Sequence, residues 1–245
     1  MRDDQAGGLR RLFVRPHPRM TGVVGEDASG VALELAAAYG RLAHRVLLLD
    51  RSCGEAARGL GLRARFELKH ALTGDKSLHD VVLQGPHGIV VLPAARALDV
   101  VCTEGRAACD ALTASLEAAL GRFDVLLVNG APLPVAHASV LLALAPTSSA
   151  LTHAYSELKK FARAGAPRRC DVVIHKARSE AAALDAFDSV ALTAGRFLGM
   201  TLALAGTLPA ASHGASAGGA RSRAAERIAE RLAAEPLQAR KAVNH

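Results

Sequence analysis

Several places in this sequence carry residues whose types and spacing could do chemistry. Gly22–Ser29, read GVVGEDAS, is a glycine-bearing loop between an aliphatic run and an amphipathic stretch. Asp50 ends the next aliphatic run, RVLLLD, and Ser52 follows it in DRS. Asn129 closes DVLLVN, and His175 closes DVVIH. In open α/β sheets ligands bind beyond the carboxyl ends of strands, and anions sit on the N-terminus of the helix that follows. A working phosphate loop there needs glycines for close backbone approach, a lysine reaching the phosphates and a Ser or Thr for Mg2+. Gly22, Gly25 and Ser29 supply part of that set, yet the loop holds no lysine and carries Glu26 and Asp27 instead. Asp27 reads as the N-cap of a helix that begins at Ala28.

The elements that must position these residues are legible as strand-length aliphatic runs alternating with helical periodicity. Expected strands are Met20–Val24, Val46–Asp50, Gly88–Pro93, Phe123–Asn129, Ser139–Leu144, Asp171–His175 and Thr201–Gly206. Expected helices are Ser29–Leu42, Phe66–Leu72, Leu78–Leu83, Arg106–Leu120, Leu151–Arg163, Glu180–Phe197 and Arg221–Ala234. Near-continuous runs such as RVLLLD, GIVVLP and DVLLVN fit parallel strands covered on both faces. The fold class is therefore α/β: a doubly wound, mostly parallel sheet of about seven strands. Ala210–Ser222, AASHGASAGGARS, reads as a flexible loop before the last helix.

Composition narrows the function classes. The formal net charge is +7, but the arginines are scattered and no basic run with interleaved aromatics appears, so direct nucleic-acid binding is not expected. The four cysteines, Cys53, Cys102, Cys109 and Cys170, form no CxxC and have no histidine at metal-ligand spacing. They read as small buried hydrophobes of a reducing cytoplasm, and no metal site is expected. The N-terminus is charged and no apolar run reaches about 18 residues, so a cytoplasmic chain without a span is expected. The last helix shows a narrow stripe (Ala225, Ile228, Ala229, Leu232) with charged flanks and no aromatic anchor. It reads as core packing, which leaves membrane contact weak or indirect.

The start of the chain is a different kind of segment. In DDQAGGLRRLF, residues 3–13, Gln5, Leu9 and Phe13 fall at i, i+4 and i+8 beside Leu12, opposite Arg10 and Arg11. Gly7 and Gly8 each cost about 1 kcal/mol in a helix. A segment this short is marginal alone, and it reads as a tail that folds onto a partner's groove. The expected organisation is a partner-binding tail over 1–18, a single domain over 19–235 and a C-terminal tail over 236–245.

These motifs carry a resemblance. DQAGGLR is similar to the DQAxxLR motif of the FlhG (FleN, YlxH) family, MinD/ParA-like regulators of flagellar number and placement. LAPTSSALTHAYSELKKFARAG resembles that family's PTSITDAY turn and helix, and the likeness spans roughly residues 3–234. It implies a MinD/ParA-like P-loop NTPase fold and sets GKGGVGKT on Gly22–Ser29. The family's signature lysine then falls on Val23 and its phosphate lysine on Ala28, with Asp27 in place of the last glycine. The water-activating aspartate falls on Ser52, the aspartate of the later DTPAG-like turn on Asn129, and the adenine-reading asparagine on His175. Ser29 and Asp50 are retained. Two charges 4 Å apart in a partly buried site are worth on the order of 4 kcal/mol, so exchanging two lysines for two carboxylates removes most affinity for ATP.

The resemblance implies a pseudo-ATPase rather than an enzyme, with no cofactor expected and ATP with Mg2+ as the pair the fold would otherwise take. It implies that Asp4, Gln5, Ala6, Leu9, Arg10 and Phe13 bind the GTPase FlhF and stimulate its GTP hydrolysis. Flagellar C-ring components, a flagellar transcription regulator, a homodimer and recruitment to the cell pole belong to the same expectation. Two rivals stand beside it: an active MinD/ParA-type ATPase using Lys69, Lys76 or Lys176, and a ParA-like DNA-associated partitioning protein.

Overall fold

The computed structural model describes residues 18–135, 138–163, 169–210 and 215–234. Branched aliphatic side chains at consecutive positions suit a pleated surface buried on both faces, and the aliphatic runs form strands accordingly. In chain order these are β1 (Arg19–Gly25), β2 (Val46–Asp50), β3 (Leu83–Gln84), β4 (Val90–Pro93), β5 (Val125–Asn129), β6 (Ala138–Leu144), β7 (Arg169–Ala177) and β8 (Thr201–Pro209). They make one eight-stranded sheet in the order β3-β4-β2-β5-β1-β6-β7-β8. Neighbours run parallel except β3 against β4.

The helices among the described residues are α1 (Ala28–Arg41), α2 (Glu55–Gly59), α3 (Leu68–Leu72), α4 (Leu78–Val81), α5 (Ala95–Thr103), α6 (Arg106–Leu120), α7 (Ser148–Arg163), α8 (Glu180–Leu198) and α9 (Ala215–Ala234). Alternation along the strands divides the core between two faces. Leu48 and Leu127 pack with Val31 and Leu35 of α1 and Ala225 and Ile228 of α9. Leu47, Leu49, Leu126 and Val128 point the other way, onto Leu98 of α5 and Leu112 and Leu116 of α6. Leu142, Leu144, Val172 and Ile174 share that second face with Leu158 of α7 and Val190 of α8. Register then sets the site: Asn129 pairs with Val23 on one side and Asp50 on the other, so the carboxyl ends of β1, β5 and β2 lie side by side.

The structure differs from the sequence reading in four places. An eighth strand exists, the two-residue antiparallel edge β3, which is too short to show a period; the helix expected to run to Leu83 stops at Val81 to make room for it. Helices α2 and α5 were not expected, the first because five residues carry no readable periodicity. The helix expected from Leu151 begins at Ser148, where Thr147 Oγ1 accepts from the Ala150 amide at 3.2 Å. Most substantially, α9 begins at Ala215, inside the stretch expected to be a loop. The Arg221 guanidinium fixes that end: it donates to Glu34 Oε1 of α1 at 2.7 Å and to the Pro209 carbonyl at the end of β8. The residues expected to bind a partner, Asp4, Gln5, Ala6, Leu9, Arg10 and Phe13, and the tail 236–245, lie outside the described residues.

Candidate functional site

The loop from β1 into α1 is shaped by close backbone approach. Gly25 has φ +108°, and a Cβ there would collide with the Ala143 carbonyl of β6. A Cβ on Gly22 would collide with Pro132, so the segment after β5 lies directly on β1; its Gly130 amide donates to the Val23 carbonyl at 2.9 Å. Both glycines therefore answer to packing alone. Val23 stands within β1, fully buried against α1, and Ala28 packs on the same core. The two positions that a phosphate loop would give to lysines face apolar surroundings here.

Asp27 occupies the N-cap position of α1 as expected, but its side chain makes no capping bond. Its backbone is left-handed, φ 58° and ψ 31°, which turns the carboxylate over the helix start. Oδ1 comes within 2.6 Å of where a Cβ on Gly30 would stand. Oδ2 meets the Lys176 ammonium at 2.8 Å. Lys176 too is left-handed, φ 59°, at an irregularity in β7 between His175 and Ala177. The chain's own carboxylate and ammonium thus take the place at the helix N-terminus where an anion would be favoured.

His175 is buried beside this pair, 1% exposed, and neither ring nitrogen has a hydrogen-bond partner. Burial holds its pKa below the ordinary imidazole value and the Lys176 charge lowers it further, while the Asp27 and Glu26 carboxylates pull the other way. A neutral ring with two unmatched nitrogens, sealed from solvent, is a different object from an open adenine reader.

On the other side of α1 a hydrogen-bonded chain joins three strand ends. Asn129 Nδ2 donates to Ser29 Oγ at 2.9 Å and to Asp50 Oδ1 at 3.2 Å. The Ser52 amide donates to Asp50 Oδ1 at 2.9 Å, and its hydroxyl donates to the same oxygen. Ser29 Oγ donates to Glu55 Oε2 at 2.8 Å, and the Glu55 amide returns to Ser52 Oγ at 3.1 Å. Asp50 Oδ2 alone is left buried without a partner. The Ser29 hydroxyl donates to the Glu55 carboxylate and the Ser52 hydroxyl to that of Asp50. The arrangement is a hydrogen-bonded network joining the ends of β2 and β5 to the starts of α1 and α2, with one oxygen of Asp50 unmatched.

Of the sequence-predicted set, Gly25, Asp27, Ser29, Asp50, Ser52, Asn129 and His175 are brought to one end of the sheet, whereas Val23 is buried in the core and Ala28 lies half-buried against it. Glu55 and Arg51 were not foreseen. Arg51 donates to Asp99 at 2.6 Å and to the Ala131 carbonyl at 3.1 Å, bracing the loop after Asp50; its place next to Asp50 was the available signal. Lys76 lies over the Phe66 ring, 4.7 Å from its centroid, and not in the site. Among the described residues no group of His, Cys, Asp or Glu is placed to hold a metal ion, and no helix is long and apolar enough to cross a membrane.

The sheet order and this loop define the MinD/ParA-like P-loop fold. The chain superposes on the MinD cell division protein of Aquifex aeolicus with a TM-score of 0.62 at 15% identity, covering 91% of this chain and 99% of that one. A plasmid partition protein of Borrelia burgdorferi gives 0.57 at 13%, covering 88% and 97%. In sequence the chain is similar to a flagellar antiactivator. It is 28% identical over 195 residues to the antiactivator FleN of Pseudomonas aeruginosa, across 76% of this chain and 70% of that protein. No family model matches the chain.

Proposed function

We propose that this protein is a regulator of flagellar number and placement that works as a pseudo-ATPase scaffold. Its folded body holds a fixed conformation, and residues 3–13 engage FlhF and stimulate its GTP hydrolysis. The observation that carries the reading is the Asp27–Lys176 ion pair at 2.8 Å, which fills the phosphate position with the chain's own charges. The likeness to an antiactivator supports a second contact, with a flagellar transcription regulator, and C-ring components are the third class of partner.

The test is calorimetric titration of Mg-ATP and Mg-ADP into the full chain at millimolar ligand, followed by FlhF turnover with and without the chain. No nucleotide heat and faster GTP hydrolysis, lost on Gln5→Ala, are the expected results. Binding tighter than about 100 μM, about 5.5 kcal/mol, overturns the pseudo-ATPase half and returns the active-ATPase reading. Unchanged FlhF turnover overturns the activator half. Salt-sensitive binding to nonspecific duplex DNA would favour the partitioning reading instead.

A further inference from the structure

The two edges of the sheet are built differently. One is β3, two residues long and antiparallel, too short to template another strand. The other is β8, nine residues, which among the described residues pairs with β7 alone. Natural edges are commonly blunted by shortness, by lysines along the strand or by inward charges. β3 uses the first device, whereas β8, TLALAGTLP, is long and carries no charged residue. A bulge at Ala205 and the terminal Pro209 restrict only its second half. Thr201–Leu204 keeps an unbroken register with Arg169–Val172.

The face beside this edge is apolar as well. Helix α7 covers β1 and β6, and α8 covers β7 and β8, so α8 is the outermost helix on its face. Leu202 and Leu204 of β8 are half-buried in one cluster with Phe187 and Leu198 of α8. Five large hydrophobic side chains are exposed among the described residues, and three of them stand on α8: Leu184 at 43%, Leu192 at 74% and Phe197 at 65%.

We propose that β8 and α8 form a dimer interface, with β8 laid antiparallel against β8 of a second copy of this chain. A two-fold axis across the edge returns the strand to itself in that sense, so the free amides and carbonyls of each copy answer those of the other. Helix α8 then lies beside its own mate, also antiparallel, and its exposed apolar side chains leave water. Charge singles out a copy as the occupant. The chain carries +7 overall and repels itself across most of its surface, but β8 offers no charge and α8 is net acidic. The acids of α8, Glu180, Asp185 and Asp188, fall in its first half and its one cation, Arg196, in the last turn. Antiparallel helices bring each Arg196 toward the acidic half of the other copy. The edge lies three strands from β1, so this pairing needs no nucleotide.

The experiment is sedimentation velocity of the full chain without nucleotide, across the micromolar range. The expected result is a concentration-dependent dimer, weakened at least about tenfold by Ala203→Lys or by Leu192→Glu. Leu192 is mostly solvent-exposed, so its variant should keep the fold, which an unchanged thermal melt checks. Val100→Glu, on exposed α5 away from the edge, should leave the dimer intact. Asp188→Arg should weaken it, and Arg196→Asp added to that change should restore it. A monomer at every concentration would mean that the chain's own residues outside the described ones, or a different partner, cover β8, and would overturn the proposal. So would a dimer indifferent to Ala203→Lys and Leu192→Glu, one lost equally on Val100→Glu, or a charge exchange that fails to restore it.

Discussion

The Lys176 ammonium stands 2.8 Å from the Asp27 carboxylate, and both residues hold left-handed backbone, φ 59° and φ 58°. Each non-glycine residue in that region carries strain on the order of 1 kcal/mol, so two strained positions face each other across one ion pair. Both side chains are more than a third exposed, and solvent screening keeps the net attraction small. The pair acts by position more than by strength: it ties the start of α1 to the end of β7.

Lys176→Met should accordingly cost less than about 1 kcal/mol in urea unfolding. Its larger effect should be local, with faster hydrogen exchange at the amides of 26–29. An unchanged exchange pattern would show that the loop is held by Gly25 and its neighbours alone.

Restoring phosphate-loop chemistry should restore a ligand. The combined change Glu26→Val, Asp27→Gly, Ala28→Lys removes two carboxylates and adds a cation at the helix start. A nucleotide titration should then reveal Mg-ATP binding with a Kd below about 1 mM, roughly 4 kcal/mol. Continued absence of binding would mean that the hydrogen-bonded network around Asp50, and not the charge of the loop, excludes nucleotide.

Gly25→Ala places a methyl against the Ala143 carbonyl at φ +108°. Backbone strain and overpacking together should cost about 2–4 kcal/mol in chemical denaturation. Gly74→Ala is the control, since its φ is +78° but nothing lies within 4 Å of the added carbon; it should lose only the strain.

Asn129→Asp tests the network electrostatically. The new carboxylate would sit at the 3.2 Å contact with Asp50 that the amide now makes, and one member of a close acid pair titrates well above the ordinary range. A raised folded pKa means that the folded state binds the extra proton. Stability should be present at low pH and fall as pH rises from about 4 towards 7. A flat profile would show that the two groups move apart.

His175 predicts the opposite slope in the unchanged protein. Burial holds its folded pKa below the ordinary value, so the unfolded chain takes up the proton first. Stability should be complete above about pH 6.5 and be lost as pH falls from there through the folded value. His175→Phe should flatten that part of a denaturation-versus-pH series.

Sequence patterns that extend over many residues were readable, and those that depend on distant partners were not. RVLLLD and DVLLVN announce buried parallel strands by themselves, and Ser29, Asp50 and Asn129 could be placed at strand ends and a helix start. The start of α9 could not, because Gly218 and Gly219 argue against a helix locally. The decisive contacts, Arg221 with Glu34 and the Pro209 carbonyl, come from α1 and the end of β8. Asp27 shows the same limit: its capping position follows from neighbours, but its partner is Lys176, far along the chain. Glu55 lies on a five-residue helix that gave no periodic signal, so the acceptor for Ser29 was invisible.

The position of β1 between β5 and β6 has a consequence for the order of assembly. β1 pairs Arg19 with Val125 and Met20 with Ala138, so neither neighbour exists until more than a hundred residues later have been synthesised. At about 5–20 residues per second, the loop that follows β1 waits several seconds or longer on the ribosome before its sheet can close. Asp50 emerges next, then Asn129, and Lys176 after all of them. The cation that pairs with Asp27 is the last of these groups to appear, so the nascent chain passes through a stage in which the acidic loop lacks that partner.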